Sequence, residues 1–220
     1  MGTDNLFHKR KARLAESLRR KQAKREPYDI VLIVCEGIKT EPNYFRGLRE
    51  SLRLNNANII IADKSGGLDP LSLVEFAIGE YRKDPIYDSV YCVLDKDKHT
   101  TYANAIDKSY AISLKKGSKF YVIPSIPCFE VWLLLHYVFT TKSFCAAGND
   151  SNGDLVVSEL RKYIKDYEKG NKDIFKSVSD KINDAILNAK CLEKFHENSG
   201  KDNPSTKVHE LVEYLIRLKN

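Results

Sequence analysis

Two periods of apolar and polar positions divide this chain. Ile30 to Cys35 is an unbroken apolar run, the pattern of a strand covered on both faces. It ends at Glu36-Gly37, and Glu41-Pro42 then opens a stretch in which Phe45, Leu48 and Leu52 fall at helical spacing, predicting a helix over about 42–54. Asn58 to Ala62 reads as a second short strand and Lys64 to Gly67 as a loop. Asp69-Pro70 reads as an N-cap and first-turn proline before a helix with Leu73, Val74, Ala77, Ile78 and Tyr81 inward. Tyr87 to Leu94 predicts a third strand, which runs into Asp95. Thr100 can cap the next helix, lined by Ile106, Tyr110 and Leu114; Gly117 closes it and Lys119 to Ile123 makes a fourth strand.

From Pro127 the pattern is helical. Phe129 to Val138 is apolar nearly all round, which requires burial, and a polar loop follows at 148–153. Helices are predicted over 155–167, 180–195 and 205–218, with Asn203-Pro204 as N-cap and first-turn proline of the last. Strands alternating with helices imply a parallel sheet with right-handed crossovers. The expected fold class is therefore α/β: a parallel sheet of about four strands over 28–126, and a helical half over 127–220 packed on it. Residues 1–27 form a separate arm.

Composition and charge sharpen this picture. Hydrophobic residues are 42% of 220, enough for a sizeable core. The longest apolar run is too short to span a bilayer, and the basic N-terminus lacks the apolar segment of a signal peptide, so a cytoplasmic protein with no membrane contact is expected. The five cysteines are odd in number and show no CxxC spacing, which argues against a zinc site or a disulfide framework. The arm carries Lys9, Arg10, Lys11, Arg13, Arg19, Arg20, Lys21, Lys24 and Arg25 against three acids, and so accounts for the whole net charge of +6. A basic arm on a neutral body suits phosphate contacts to nucleic acid; a solvated tail is the plain alternative.

The candidate chemistry lies at the strand ends. Glu36 closes the first strand and Asp95 the third, with Asp97 two residues on, and ligands of open α/β sheets sit at the carboxyl ends of strands. Adjacent strands would bring three carboxylates to one edge. Such acids repel unless a cation or proton lies among them, and magnesium or manganese takes oxygen ligands of this kind. The pattern suggests metal-assisted phosphoryl-transfer chemistry, with a surface acid at a strand end as the bland reading of Glu36. No GxxxxGK[ST] loop, GxGxxG after the first strand, HExxH or GxSxG elbow is present.

The segments VCEGIKTEPNYF (34–45), VYCVLDKDKH (90–99), PCFEVWLLLH (127–136) and NPSTKVHELV (203–212) resemble, in order, the motifs of the RloB family. That family occurs in restriction and anti-phage loci, often beside an ATPase, and its N-terminal half is similar to the Toprim domain of topoisomerases, primases and OLD-type nucleases. The resemblance implies a Toprim-like Rossmannoid sheet, Glu36 as general acid/base or metal ligand, and Asp95 and Asp97 as a metal-binding pair for Mg2+ or Mn2+. One departure is Ile126, where the family often has asparagine before Pro-Cys-Phe-Glu.

Glu41, Glu130, His99 and Lys98 are further candidates. Glu41 is a second metal or substrate contact, or simply an acid at a helix N-terminus favoured by the dipole. Glu130 stands in an apolar helix, where an unpaired charge would be costly, so a partnered or metal-facing carboxylate is expected. His99 could bind phosphate or relay a proton, although exposed loop histidines are commoner. His209 reads as a core residue. The leading expectation is a metal-dependent nuclease acting on DNA or RNA in phage defence. An adaptor binding a neighbouring ATPase and a nucleotidyl transferase are the alternatives, and the oligomeric state stays open.

Overall fold

The computed structural model describes residues 29–54, 59–62, 68–96, 100–115, 117–146 and 150–219. The basic arm lies outside the described residues. Four strands, β1 (Val31–Cys35), β2 (Ile59–Ala62), β3 (Ser89–Asp95) and β4 (Lys119–Ile126), are parallel, as the alternating pattern predicts. A two-residue strand, β5 (Ser205–Thr206), adds antiparallel to β4 and makes the spatial order β2-β1-β3-β4-β5. The chain leaves β1 toward β2 on one side and returns to β3 on the other. The gap above β1 and β3 is thus a topological switch point, where helices leave a crevice at the carboxyl ends.

Both faces of the sheet are covered. Leu32, Val34, Val90, Cys92 and Leu94 point to a core shared with α2 (Pro70–Lys83) and α3 (Tyr102–Tyr110). Val31, Ile33, Tyr91 and Val93 point to a larger core built with α1 (Thr40–Ser51), α4 (Glu130–Leu135), α5 (Asn152–Leu160), α6 (Ile174–Val178), α7 (Ile182–Ser199) and α8 (Val208–Lys219). Two-sided burial explains why β1 reads as a continuous apolar run rather than an alternation. At the centre of the larger core the Tyr44 ring meets Phe45, Phe129, Trp132, His136 and Phe175 edge-on, with centroids 5.4–6.3 Å apart. These contacts bind α1 to α4 and α6, with favourable edge-to-face geometry added to the area buried.

Several boundaries differ from the sequence pattern for physical reasons. The helix expected over 155–167 starts earlier, at Asn152, where Ser151 and Asp154 form a capping box, and ends at Leu160. Beyond it the chain turns so that the Tyr167 hydroxyl reaches Glu130. The helix expected over 129–138 is one and a half turns long, and α6 has only five residues. Thr100 is not a cap: α3 begins at Tyr102, and the neighbouring Thr101 donates its hydroxyl to Asp69 Oδ1 at 2.9 Å. Asn203-Pro204 does not cap α8, which begins at Val208 after β5. Instead, Asn203 Oδ1 accepts from the Phe144 amide at 3.1 Å and its Nδ2 donates to the Phe144 carbonyl at 3.0 Å. Its side chain imitates one rung of a sheet.

Asn203 therefore holds the approach to β5. Asn203→Ala is expected to cost about 1–2 kcal/mol, because both backbone groups of Phe144 lose a partner in a half-buried place. A urea denaturation series checks this, and an unchanged midpoint would show that water serves those groups equally well.

Candidate functional site

The carboxyl ends of β1 and β3 open into a cavity of about 510 Å³. It is lined by Glu36, Glu41, Asp69, Asp95 and Glu130, by Lys39 and Lys169, and by Gly37, Ile38, Thr40 and Leu68. Local rules place each acid. The parallel ladder pairs Cys35 with Val93, and the Glu36 amide continues it by donating to the Val93 carbonyl at 3.0 Å. The Glu36 side chain then folds across, and its Oε2 accepts from the Asp95 amide at 2.9 Å. Two strand-end acids are joined by one hydrogen bond between side chain and main chain.

Glu41 stands in the first turn of α1, where the helix dipole favours an acid, yet it is only 6% exposed. Its carboxylate lies directly over Gly37: a Cβ there would come within 2.0 Å of Glu41 Oε2. Glycine is required at that position by the close approach. Glu130 is 3% exposed at the start of α4 and is partnered, as expected for a charge in an apolar helix. The Tyr167 hydroxyl donates to its Oε1 at 3.0 Å, and the Lys169 ammonium lies 3.8 Å from the same oxygen.

Electrostatics reflect this crowding. Burial pushes the Asp95 carboxyl well above the usual carboxylate range, and the charges of Glu41, Glu130 and Glu36 push it further, against a hydrogen bond from the Phe129 backbone. Glu41 is pushed up to about 7, chiefly by burial and then by Glu130 and Glu36, while its own amide and that of Gly37 oppose the rise. Asp69 is held below its ordinary value by hydrogen bonds from Ser72 and Thr101. Burial pulls Lys169 down, but Glu130, Cys128, Asp95 and Asp154 outweigh it and hold the ammonium above its ordinary value.

The donor set fits a hard divalent cation. All the acids offer oxygen, and Asp95 Oδ1 is shielded from solvent with no hydrogen-bond partner among the described residues. A buried carboxylate oxygen left in that condition is costly unless a cation or proton serves it. The strand-end acids form no cluster of three ligand atoms within 4.8 Å among the described residues. Glu193, His209 and Glu210 do form one, beneath β5, but the Lys207 ammonium already bonds both glutamates there.

The structure thus brings Glu36, Glu41, Asp95 and Glu130 together. Asp97, Lys98 and His99 lie outside the described residues. His209 is buried beside Glu193, away from the cavity lining, with their nearest charged atoms 3.6 Å apart. Sequence reasoning did not find Lys39, Lys169, Tyr167 or Thr40. The only signal for Lys169 was its place in a lysine-rich polar stretch after α5.

The raised value at Glu41 has a consequence for metal-free protein. Between the ordinary carboxylate value and about 7 the folded chain keeps a proton that the unfolded chain has released, so stability falls as pH rises through that window. Glu41→Gln is expected to raise the urea midpoint at about pH 8, by on the order of 1–3 kcal/mol, and to change it little near pH 4. An equal effect at both pH values would contradict the burial of an ionisable group there.

A sequence model of the family described as RloB-like protein matches residues 31–215, from the first strand into the last helix. No curated protein and no solved structure matches the chain. The match covers the sheet, the acid cavity and the helices that complete it: the chain belongs to the RloB-like protein family.

Proposed function

We propose that this chain is a divalent-metal-dependent nuclease that hydrolyses phosphodiester bonds of DNA or RNA at the acid cavity. The observation that carries the reading is Asp95: a strand-end carboxylate with a shielded, unpartnered oxygen, its amide fixed to Glu36, in a cavity shared with Glu41 and Glu130. Asp95 and Glu36 would hold Mg2+ or Mn2+, with Asp97 from the adjoining loop and Glu41 facing the same space. A bound ion of this class supplies Lewis-acid polarisation of a phosphoryl oxygen and an activated water.

The chain's own residues do the rest. The hydrogen bond from the Asp95 amide fixes one Glu36 oxygen and leaves the other to bind or exchange a proton. Tyr167 orients Glu130, and Gly37 lets Glu41 lie over the turn between β1 and α1. The basic arm, with Lys9, Arg10, Lys11, Arg13, Arg19, Arg20, Lys21, Lys24 and Arg25, would gather nucleic acid by its phosphates. The resemblance to RloB proteins of restriction and anti-phage loci supports a defence role, beside an ATPase encoded nearby.

A second reading has one observation in its favour. Exposed Phe139 and Leu187 line a cavity of about 450 Å³ in the helical half, a surface suited to an apolar anchor from a partner protein. In that reading the chain is an adaptor, and capture of the ATPase survives loss of the acids but not Leu187→Asp.

Glu36→Gln and Asp95→Asn are expected to lower metal-dependent cleavage of mixed DNA and RNA by about 10³-fold or more, with melting temperatures close to wild type. The assay includes the neighbouring ATPase and its nucleotide in one arm. Cleavage that persists in both variants would remove these acids from the chemistry.

A further inference from the structure

The acid cavity poses a difficulty for its own substrate. Five carboxylates line it, and a phosphodiester approaching them is repelled unless positive charge meets it from the protein side. The two lysines of the lining come from different places: Lys39 precedes α1, and Lys169 belongs to the connection between α5 and α6. We propose that this connection is a phosphate clamp for a nucleic-acid strand. Lys169 and Lys39 contact the phosphate at the acid cavity, and Lys165 and Lys172 contact its neighbours. The inference rests on the nuclease reading and names the surface that presents the substrate to that site.

Three observations support it. First, the connection is latched to the site rather than hung beside it. The Gly170 amide donates to Thr40 Oγ1 at 3.1 Å, and Asn43 Nδ2 donates to the carbonyls of Gly170 at 3.1 Å and Asn171 at 3.3 Å. Gly170 has φ +92°, and a Cβ there would meet Lys39 Cδ at 2.7 Å, so the backbone lies against the Lys39 stem. The two lysines are therefore neighbours by construction.

Second, Lys169 is not consumed by its ion pair. Tyr167 already gives Glu130 a hydrogen bond at 3.0 Å, whereas the Lys169 ammonium stands 3.8 Å away with its side chain 58% exposed. It can turn to a phosphate oxygen while Glu130 keeps a partner. Third, Lys165 and Lys172 are exposed on the same connection and make no ion pair among the described residues. A lysine is a mobile point charge suited to phosphates without base reading.

The test uses full-length protein carrying Glu36→Gln, without metal, and labelled oligodeoxynucleotide and oligoribonucleotide in separate arms. Fluorescence anisotropy is read across a salt series. Lys165→Glu/Lys172→Glu is expected to weaken binding about tenfold or more at low salt and to flatten the salt slope by about one unit. Lys194→Glu/Lys219→Glu, on helices outside the cavity lining, sets the effect of net charge alone. In the cleavage-competent chain, Lys169→Met is expected to lower kcat about 30-fold or more with manganese affinity unchanged, and Lys169→Arg to recover most of it.

If the two double variants bind alike, or the chain binds neither oligonucleotide, the clamp is overturned even where wild type cleaves. Cleavage by Lys169→Met within threefold of wild type also overturns it. Loss of binding in Lys165→Glu/Lys172→Glu beyond the control supports the clamp even if wild type never cleaves, an outcome that would defeat only the nuclease reading.

Discussion

The structure depends on holding like charges together. Glu36, Glu41, Asp95 and Glu130 share one cavity, and two of them are pushed above the carboxylate range by burial and by each other. Folding alone gives no reason for this, since dispersed surface acids would cost nothing. The surrounding elements act as a frame that resists the repulsion. The parallel ladder fixes the first pair through the amides of Glu36 and Asp95, and the ring cluster around Tyr44 binds the helix carrying Glu41 to the helix carrying Glu130. Local strain of this kind is characteristic of functional sites, where neighbouring structure offsets it.

The helices after β4 are part of the same device. Glu130, Tyr167 and Lys169 all come from them, and the hydrogen bonds of Thr40 and Asn43 to the 170–171 backbone cross from one region to the other. The two close approaches, Glu41 over Gly37 and Lys39 over Gly170, lie on either side of the cavity. A site assembled from segments more than a hundred residues apart is rigid only when both regions are folded against each other. That arrangement allows small movements between α1 and the α5–α6 connection to alter the spacing of acids and lysines together.

Much of this was legible in the sequence because strand ends are marked by physics that needs no partner. A two-sided apolar run must be a buried strand, so Glu36 and Asp95 could be placed at its edge, and Glu130 stood out as a charge among apolar neighbours. What was hidden depends on tertiary contacts. Tyr167 and Lys169 lie in a polar connection with no period, and their roles arise only when the chain leaves the helix after Leu160. The five residues of α6 are too few for a helical period to show. Asn203-Pro204 has the same local look before a strand as before a helix, and only the Phe144 backbone decides between them.

The most direct test of the central claim is an anomalous-scattering map from crystals of the protein grown with manganese. The account predicts a manganese peak in the acid cavity, bonded to Asp95 and to at least one of Glu36 and Glu41. A map at saturating manganese with no peak there, and with Asp95 Oδ1 bonded instead to a protein donor, would contradict it.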